Sequence, residues 1–350
     1  MTTAGHAATV LDGIRSEGGL HCETTALGVL LAHAGLELSE PVLFGLGSGL
    51  SFIYWDSSRQ DAPFVGGRVK PFALTENLVS LLDIDLRVQE TTSPRKAWQQ
   101  VREVIDAGIP VGLQLDSHDL EYFGSRVHFA GHVVALYGYD DERAYLVDTA
   151  QQGGRVSTSL QSLATARAAR GPMSARHRSF FLPGALAPLD DDRLNRAVVG
   201  AIVACAEDFL APPIANIGCR GIRTASRRFG TLFDRVAEPS RDLPLLGTLM
   251  ERAGTGGSLF RAMYRDFLVE CRDRLAHTSA ADPLDRAATG FADAARMWTT
   301  VSVVLTQAGE TQDAALLTDA AAVLVDIADV ETAAMQTLRS LGSTTSLTTR

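Results

Sequence analysis

The chain has 350 residues, of which 46% are hydrophobic and 21% charged, with a formal net charge of −9. That length accommodates two globular domains, and the acidic balance argues against non-specific nucleic-acid binding, which needs a basic field. The longest apolar run, Ala197 to Ala206, falls short of the roughly 18 residues that cross a bilayer, and Met1 to Thr9 lacks the cationic and apolar regions of a signal peptide. A cytoplasmic protein with no membrane association is therefore expected. The four cysteines, Cys22, Cys205, Cys219 and Cys271, are far apart and form no C-x-x-C pair, which speaks against a disulfide framework and a structural zinc site.

The first informative stretch is His21-Cys22-Glu23-Thr24-Thr25-Ala26-Leu27-Gly28-Val29-Leu30-Leu31. Gly18-Gly19 ends an irregular lead-in, and apolar residues at 26, 27, 30 and 31 have the spacing of a helix burying one face. Cys22 then lies in its first turn, where unpaired backbone N–H groups and the positive end of the helix dipole favour a thiolate. Ser39 is the expected cap of a short helix through Phe44. The glycines at 45, 47 and 49 lack the Lys-Ser/Thr ending of a phosphate-binding loop, so they are read as sites of close backbone packing or a site wall.

Residues 51–55 read as a strand, 75–82 as a helix and 86–90 as a strand. Ser93-Pro94 starts a helix that Ala107-Gly108 stops, and 110–115 is a compact apolar strand. At its far end Gln114 and Asp116 are candidate site groups. Two β-rich runs flank Asp140-Asp141-Glu142, which predicts a hairpin over 132–148. In that register His132 faces a residue near 150 and Asp148 comes within about 5–8 Å of it. A carboxylate bound to one ring nitrogen leaves the other free to exchange a proton with a thiol. His118, His128 and His132 do not have the spacing of a metal set on β-structure, and no metal is expected. A helix near 159–169 and a strand near 177–182 complete this region.

From Asp190 the pattern becomes helical, with spans at 190–210, 218–237, 242–253, 257–276, 283–308 and 312–341, broken at Pro212-Pro213, Pro239, residues 254–257 and Gly309. Arg220, Arg223, Arg227 and Arg228 form a local basic cluster suited to an acidic or phosphorylated partner.

Cysteine at a helix start, then Gly-His on a hairpin and an Asp, is the chain order of papain-like cysteine peptidases. The strings HCETTALGVLL, SEPVLFGLGSGLSFIYW and HFAGHVVALYGYDD resemble the amino-terminal domain of the butirosin biosynthesis protein H family, and GGSLFRAMYRDFL resembles the helical DUF4872-type domain that follows it. The resemblance implies an α+β chain, with a papain-like domain over 10–185 and an all-α domain over 190–345. It further implies Cys22 as acyl-accepting nucleophile, His132 as base and acid, and Asp148 as its orienting group. The expected donor is a phosphopantetheine thioester on an acyl or peptidyl carrier protein, with no bound cofactor, and the acceptor is an amine on a small molecule. Besides the Cys22 N–H, His21 or Gln114 would supply an oxyanion donor, the arginine cluster would dock the carrier, and a homodimer is a candidate assembly. Thioesterase, peptidase, lactam-forming release and a non-catalytic binding role are the competing readings.

Overall fold

A computed structural model gives the structure of residues 8–124 and 127–343. Residues 1–7, on which most of the signal-peptide reading falls, and 344–345, the end of the expected helical domain, lie outside them. Among the described residues no helix is long and apolar enough to cross a membrane. The elements in chain order begin β1 (Thr9–Val10), α1 (Cys22–His33), α2 (Glu40–Leu46), β2 (Leu50–Trp55), β3 (Phe64–Arg68), α3 (Ala73–Leu81), β4 (Arg87–Gln89) and α4 (Pro94–Asp106). They continue with β5 (Val111–Leu115), β6 (His132–Tyr139), β7 (Arg143–Val147), β8 (Arg155–Ser159), α5 (Leu160–Arg167) and β9 (Ser179–Phe181). The rest is helical: α6 (Asp191–Leu210), α7 (Gly218–Phe229), α8 (Leu232–Arg235), α9 (Pro239–Arg252), α10 (Arg261–Arg274), α11 (Ala281–Thr311) and α12 (Leu316–Arg339).

These elements pack as two units, one from residues 8–43 and 71–189, the other from 44–70 and 190–343. The segment 44–70 thus packs with the helices although it lies inside the sequence span of the first domain.

The first unit is built on an antiparallel sheet of order β4-β9-β5-β6-β7-β8, with β1 added to the end of β6. The β6–β7 hairpin forms where the residue pattern places it. Asp140 Oδ1 accepts from the N–H groups of Glu142 and Arg143, which closes the turn, and Ala135 pairs with Val147. Leu136 pairs with Leu146, a register irregularity follows between Leu136 and Gly138, and the core face carries Val134, Leu136, Ala144 and Leu146. Helix α4 starts as read, with Ser93 accepting from Lys96 N–H and Pro94 in the first turn, and lays Val101, Val104 and Ile105 on that face.

Helix α1 differs from the one-faced helix that its spacing predicts, because residues 22–27 and 29–31 are all buried. A helix buried this completely cannot leave a carboxylate uncompensated. Glu23 is fully buried and accepts from Phe72 N–H, Thr75 N–H and the Thr75 hydroxyl at 2.9–3.1 Å. It thereby caps the start of α3, whose own cap residue, Phe72, sits in the left-handed region with no side-chain acceptor to offer.

In the second unit, β2 pairs with β3, a strand the sequence reading leaves out because Phe64-Val65-Gly66-Gly67-Arg68 carries two glycines. Gly67 is required by packing, since a Cβ there would run into Leu259. The helical boundaries also shift. Pro239 occupies the first turn of α9 instead of breaking it, and α11 runs through Gly309. The expected helix over 257–276 starts only at Arg261, because Gly256, Gly257, Ser258, Leu259 and Phe260 all have positive φ. That left-handed turn delivers Arg261 into the core. Its guanidinium pairs with Glu331 through two bonds of 2.8 and 2.9 Å, both side chains are fully buried, and Trp298 Nε1 donates to the same carboxylate at 2.7 Å.

Breaking such a pair leaves a buried charge without compensation. Arg261→Met should destabilise the chain by about 3–5 kcal/mol in urea denaturation, and a second change, Glu331→Met, should recover a substantial part of that loss.

Candidate functional site

The nucleophile candidate is set by its helix. His21 caps α1 in extended conformation, Thr25 N–H bonds to His21 O, and Cys22 takes the first helical position. The cap makes no side-chain capping bond of its own, and Glu40 holds the chain on either side of it. Its carboxylate accepts from Leu20 N–H, His21 N–H and the Thr24 hydroxyl at 2.8–3.0 Å. The residues just before the helix pass through a confined space. Gly18 has φ +87, and a Cβ on it would collide with the backbone of Asp148 to Ala150; a Cβ on Gly19 would lie 2.7 Å from the Glu40 carboxylate. Ala150 N–H bonds to Gly19 O at 2.8 Å, so the lead-in to Cys22 is tied to the chain just after Asp148.

His132 opens β6 and Asp148 follows β7, so the hairpin brings them together. His132 Nε2 lies 2.8 Å from Asp148 Oδ2. That bond leaves Nδ1 as the ring nitrogen available to a thiol, and Cys22 lies near enough for its charge to favour the charged ring. The three groups are almost out of solvent, at 6% exposure for Cys22, 5% for His132 and 0% for Asp148. Burial works against a charged imidazole, but Asp148 and Cys22 outweigh it and raise the pKa of His132 to about 10. Asp148 takes two more bonds, from the Tyr122 hydroxyl to Oδ2 at 2.8 Å and from Thr149 N–H to Oδ1 at 2.6 Å. Phe123 sets its ring edge-on to His132, with centroids 5.0 Å apart.

The other candidates take supporting places. His21 is buried with Nδ1 3.3 Å from the Thr24 hydroxyl. Gln114 donates its amide to Ala130 O and Met173 O and accepts from Arg178, so it acts as a brace. Asp116 Oδ1 accepts from His118 N–H and Phe129 N–H, and Oδ2 bonds to His128 Nδ1, which ties both ends of one loop to the end of β5. His118 and His128 stack with centroids 3.9 Å apart, and among the described residues no three acid, His or Cys side chains converge as a metal site. On α7, Arg220, Arg227 and Arg228 are exposed, while Arg223 pairs with Asp329 at 2.7 Å. The other thiols differ from Cys22 in lacking a base: desolvation raises Cys205 to about 12 and pushes Cys271 up further, and Cys219 donates to Leu210 O.

Glu40, Tyr122, Phe123 and Gly18 are absent from the sequence-derived site. A glutamate before a proline signals only a helix start, and nothing in the local pattern says that Tyr122 reaches across to Asp148. A groove of about 710 Å³ runs along α1 past Thr24, Gly28 and Ala32; Glu40 lines it and the triad does not.

With this geometry in place, the comparisons with known proteins are specific. The family model described as Butirosin biosynthesis protein H, N-terminal, matches residues 21–149, and that of the domain of unknown function DUF4872 matches 161–338. Among solved structures, a Bacillus anthracis protein described as a C39-like peptidase aligns at 15% identity with a TM-score of 0.36, covering 51% of this chain and 100% of that one. No curated protein matches the chain. The first unit is α+β, with the cysteine at the start of a buried helix, the histidine opening a strand of an antiparallel sheet and the acid one hairpin later. This is the order in which the sequence reading places them.

The raised His132 pKa has a consequence for stability. A group whose pKa is higher folded than unfolded stabilises fully below its unfolded value and loses that contribution as pH rises through the folded value. The window here runs from about 6.5 to about 10. Urea midpoints of the wild type should fall across it more steeply than those of His132→Gln; parallel profiles would contradict the assigned charge state.

Proposed function

Because the chain belongs to the DUF4872 family and carries ahead of that region a domain of the butirosin biosynthesis protein H amino-terminal type, we propose that it is a cysteine acyltransferase. It takes an acyl or aminoacyl group from a phosphopantetheine thioester on a carrier protein and passes it, through acyl-Cys22, to an amine. The observation that carries this reading is the buried set of Cys22, His132 and Asp148, with His132 hydrogen bonded to Asp148 and Cys22 close enough to favour its charged form.

The steps follow from that set. Cys22 sulfur, its proton held by His132, attacks the thioester carbonyl carbon. The oxyanion so formed lies at the start of α1, where the Cys22 backbone N–H has no acceptor within the helix and is placed to donate. The carbonyl re-forms, the bond to the pantetheine sulfur breaks, and His132 gives that sulfur its proton. An amine then attacks acyl-Cys22, His132 accepts the amine's proton, and the Cys22–acyl bond breaks to leave an amide and the starting thiolate–imidazolium pair. Asp148 keeps the imidazole oriented with Nδ1 toward sulfur throughout. Exchange of one thioester for another is nearly balanced and amide formation is downhill, so neither step requires a nucleotide. Low solvent exposure at the triad supports transfer to an amine over transfer to water.

An acidic enzyme needs a local positive surface to meet an acidic carrier. Arg220 and Arg227 lie seven residues apart on α7 and share a face. Reversing both to Glu should raise KM for the carrier-bound thioester by about tenfold or more while leaving an acyl-pantetheine surrogate unaffected. Equal losses on the two donors would reject this role. Cys22→Ala should fold normally and fail to turn over either donor. Free acid as the sole product in the presence of amines would replace transfer by hydrolysis.

A further inference from the structure

Asp148 Oδ2 is a shared acceptor. His132 Nε2 and the Tyr122 hydroxyl both lie 2.8 Å from it, while Thr149 N–H occupies Oδ1. We propose that Tyr122 is a positioning residue for the triad, its hydroxyl dividing the charge of Asp148 Oδ2 with His132 and so limiting how strongly the carboxylate acts on the imidazole. This rests on the triad reading above and adds a fourth member to it.

The placement of Tyr122 is built rather than incidental. Asp116 ties its loop at 118 and at 128–129. Between those ties, Leu120 is buried in the core, and Ser162 holds the backbone on either side, donating to Asp119 O at 2.7 Å and accepting from Glu121 N–H at 3.3 Å. The Glu121 carboxylate accepts from Ser159 N–H and from its hydroxyl. Tyr122 therefore enters from a backbone fixed at the preceding residue, with Phe123 next to it against the His132 ring.

Toward Asp148 the phenol acts as the donor. Burial and the adjacent Asp148 charge push its ionisation far above the ordinary tyrosine range, so it keeps its proton and takes none from His132. The titratable groups facing His132 are Asp148 and Cys22, and those facing Asp148 are His132 and Tyr122. Removing the hydroxyl leaves the carboxylate's charge less shared. The imidazolium becomes more favoured, and it gives up its proton to the leaving pantetheine sulfur less readily.

The test is the pH dependence of Cys22 alkylation by iodoacetamide, with the modified residue located by peptide mass mapping. It needs no knowledge of the acyl group. In the wild type the profile should have two inflections, a lower one for formation of the thiolate–imidazolium pair and an upper one for loss of the imidazolium proton. Tyr122→Phe keeps the ring, and should move the upper inflection to higher pH by about half a unit to one unit. Asp148→Asn, which removes the charge, should move it down. An upper inflection unchanged or lowered in Tyr122→Phe, with the wild type showing both, overturns the role of Tyr122 alone. A single inflection in the wild type overturns the triad reading and this inference with it.

Discussion

A carboxylate fully removed from solvent must be given donors by the protein that buries it, and Asp148 receives them from three directions: the His132 ring, the Tyr122 hydroxyl and the backbone N–H of Thr149. Much of the first unit serves that arrangement. The β6–β7 hairpin sets the distance from histidine to acid, and the loop tied by Asp116 brings in the tyrosine. The chain beyond Asp148 bonds to Gly19, so the segment that fixes the acid also fixes the approach to Cys22. The two ends of the triad share one structural support.

A related constraint is met at the starts of two helices that have no capping side-chain bond of their own. Glu40 accepts from the N–H groups just ahead of α1, and Glu23 caps α3, each carboxylate coming from another element. Glu23 satisfies a first-turn N–H, that of Thr75, that a local serine or aspartate would otherwise serve, while Glu40 fixes the chain entering α1 and the Thr24 side chain in its first turn. The consequence is rigidity at a distance. The helix that carries Cys22 is held at its first turn by Glu40, and through Glu23 it holds α3 in turn. The second unit solves its own buried charge in another way, by enclosing Arg261 and Glu331 together with Trp298 as a donor.

Local chemistry made part of this legible in the residues. Cys22 in the first turn, the hairpin register that sets His132 opposite a position near 150, and Ser93 capping α4 all follow from spacing and turn residues, which act over a few positions. What escaped was non-local. Gly66 and Gly67 conceal β3 because packing, not strand propensity, selects them. The left-handed run Gly256 to Phe260 shortens an expected helix because Arg261 has to reach a buried partner seventy residues away. Tyr122 and Glu40 act across tertiary contacts that no period records. The family resemblance gave the expected roles of Cys22, His132 and Asp148 together, and the structure adds that His132 is hydrogen bonded to Asp148 and that all three are nearly free of solvent.

The chemistry follows from putting a thiol, an imidazole and a carboxylate in series where water is scarce. Such a set can form an acyl-enzyme, and the fate of the acyl group then depends on which nucleophile reaches it. The most direct test is intact-mass spectrometry of the wild type and Cys22→Ala after brief exposure to a panel of acyl-pantetheine thioesters. The account predicts an acyl-sized adduct on the wild type alone, discharged as an amide when an amine acceptor is added. Consumption of the thioester by Cys22→Ala at the wild-type rate, or no adduct and no consumption across the panel, would contradict it.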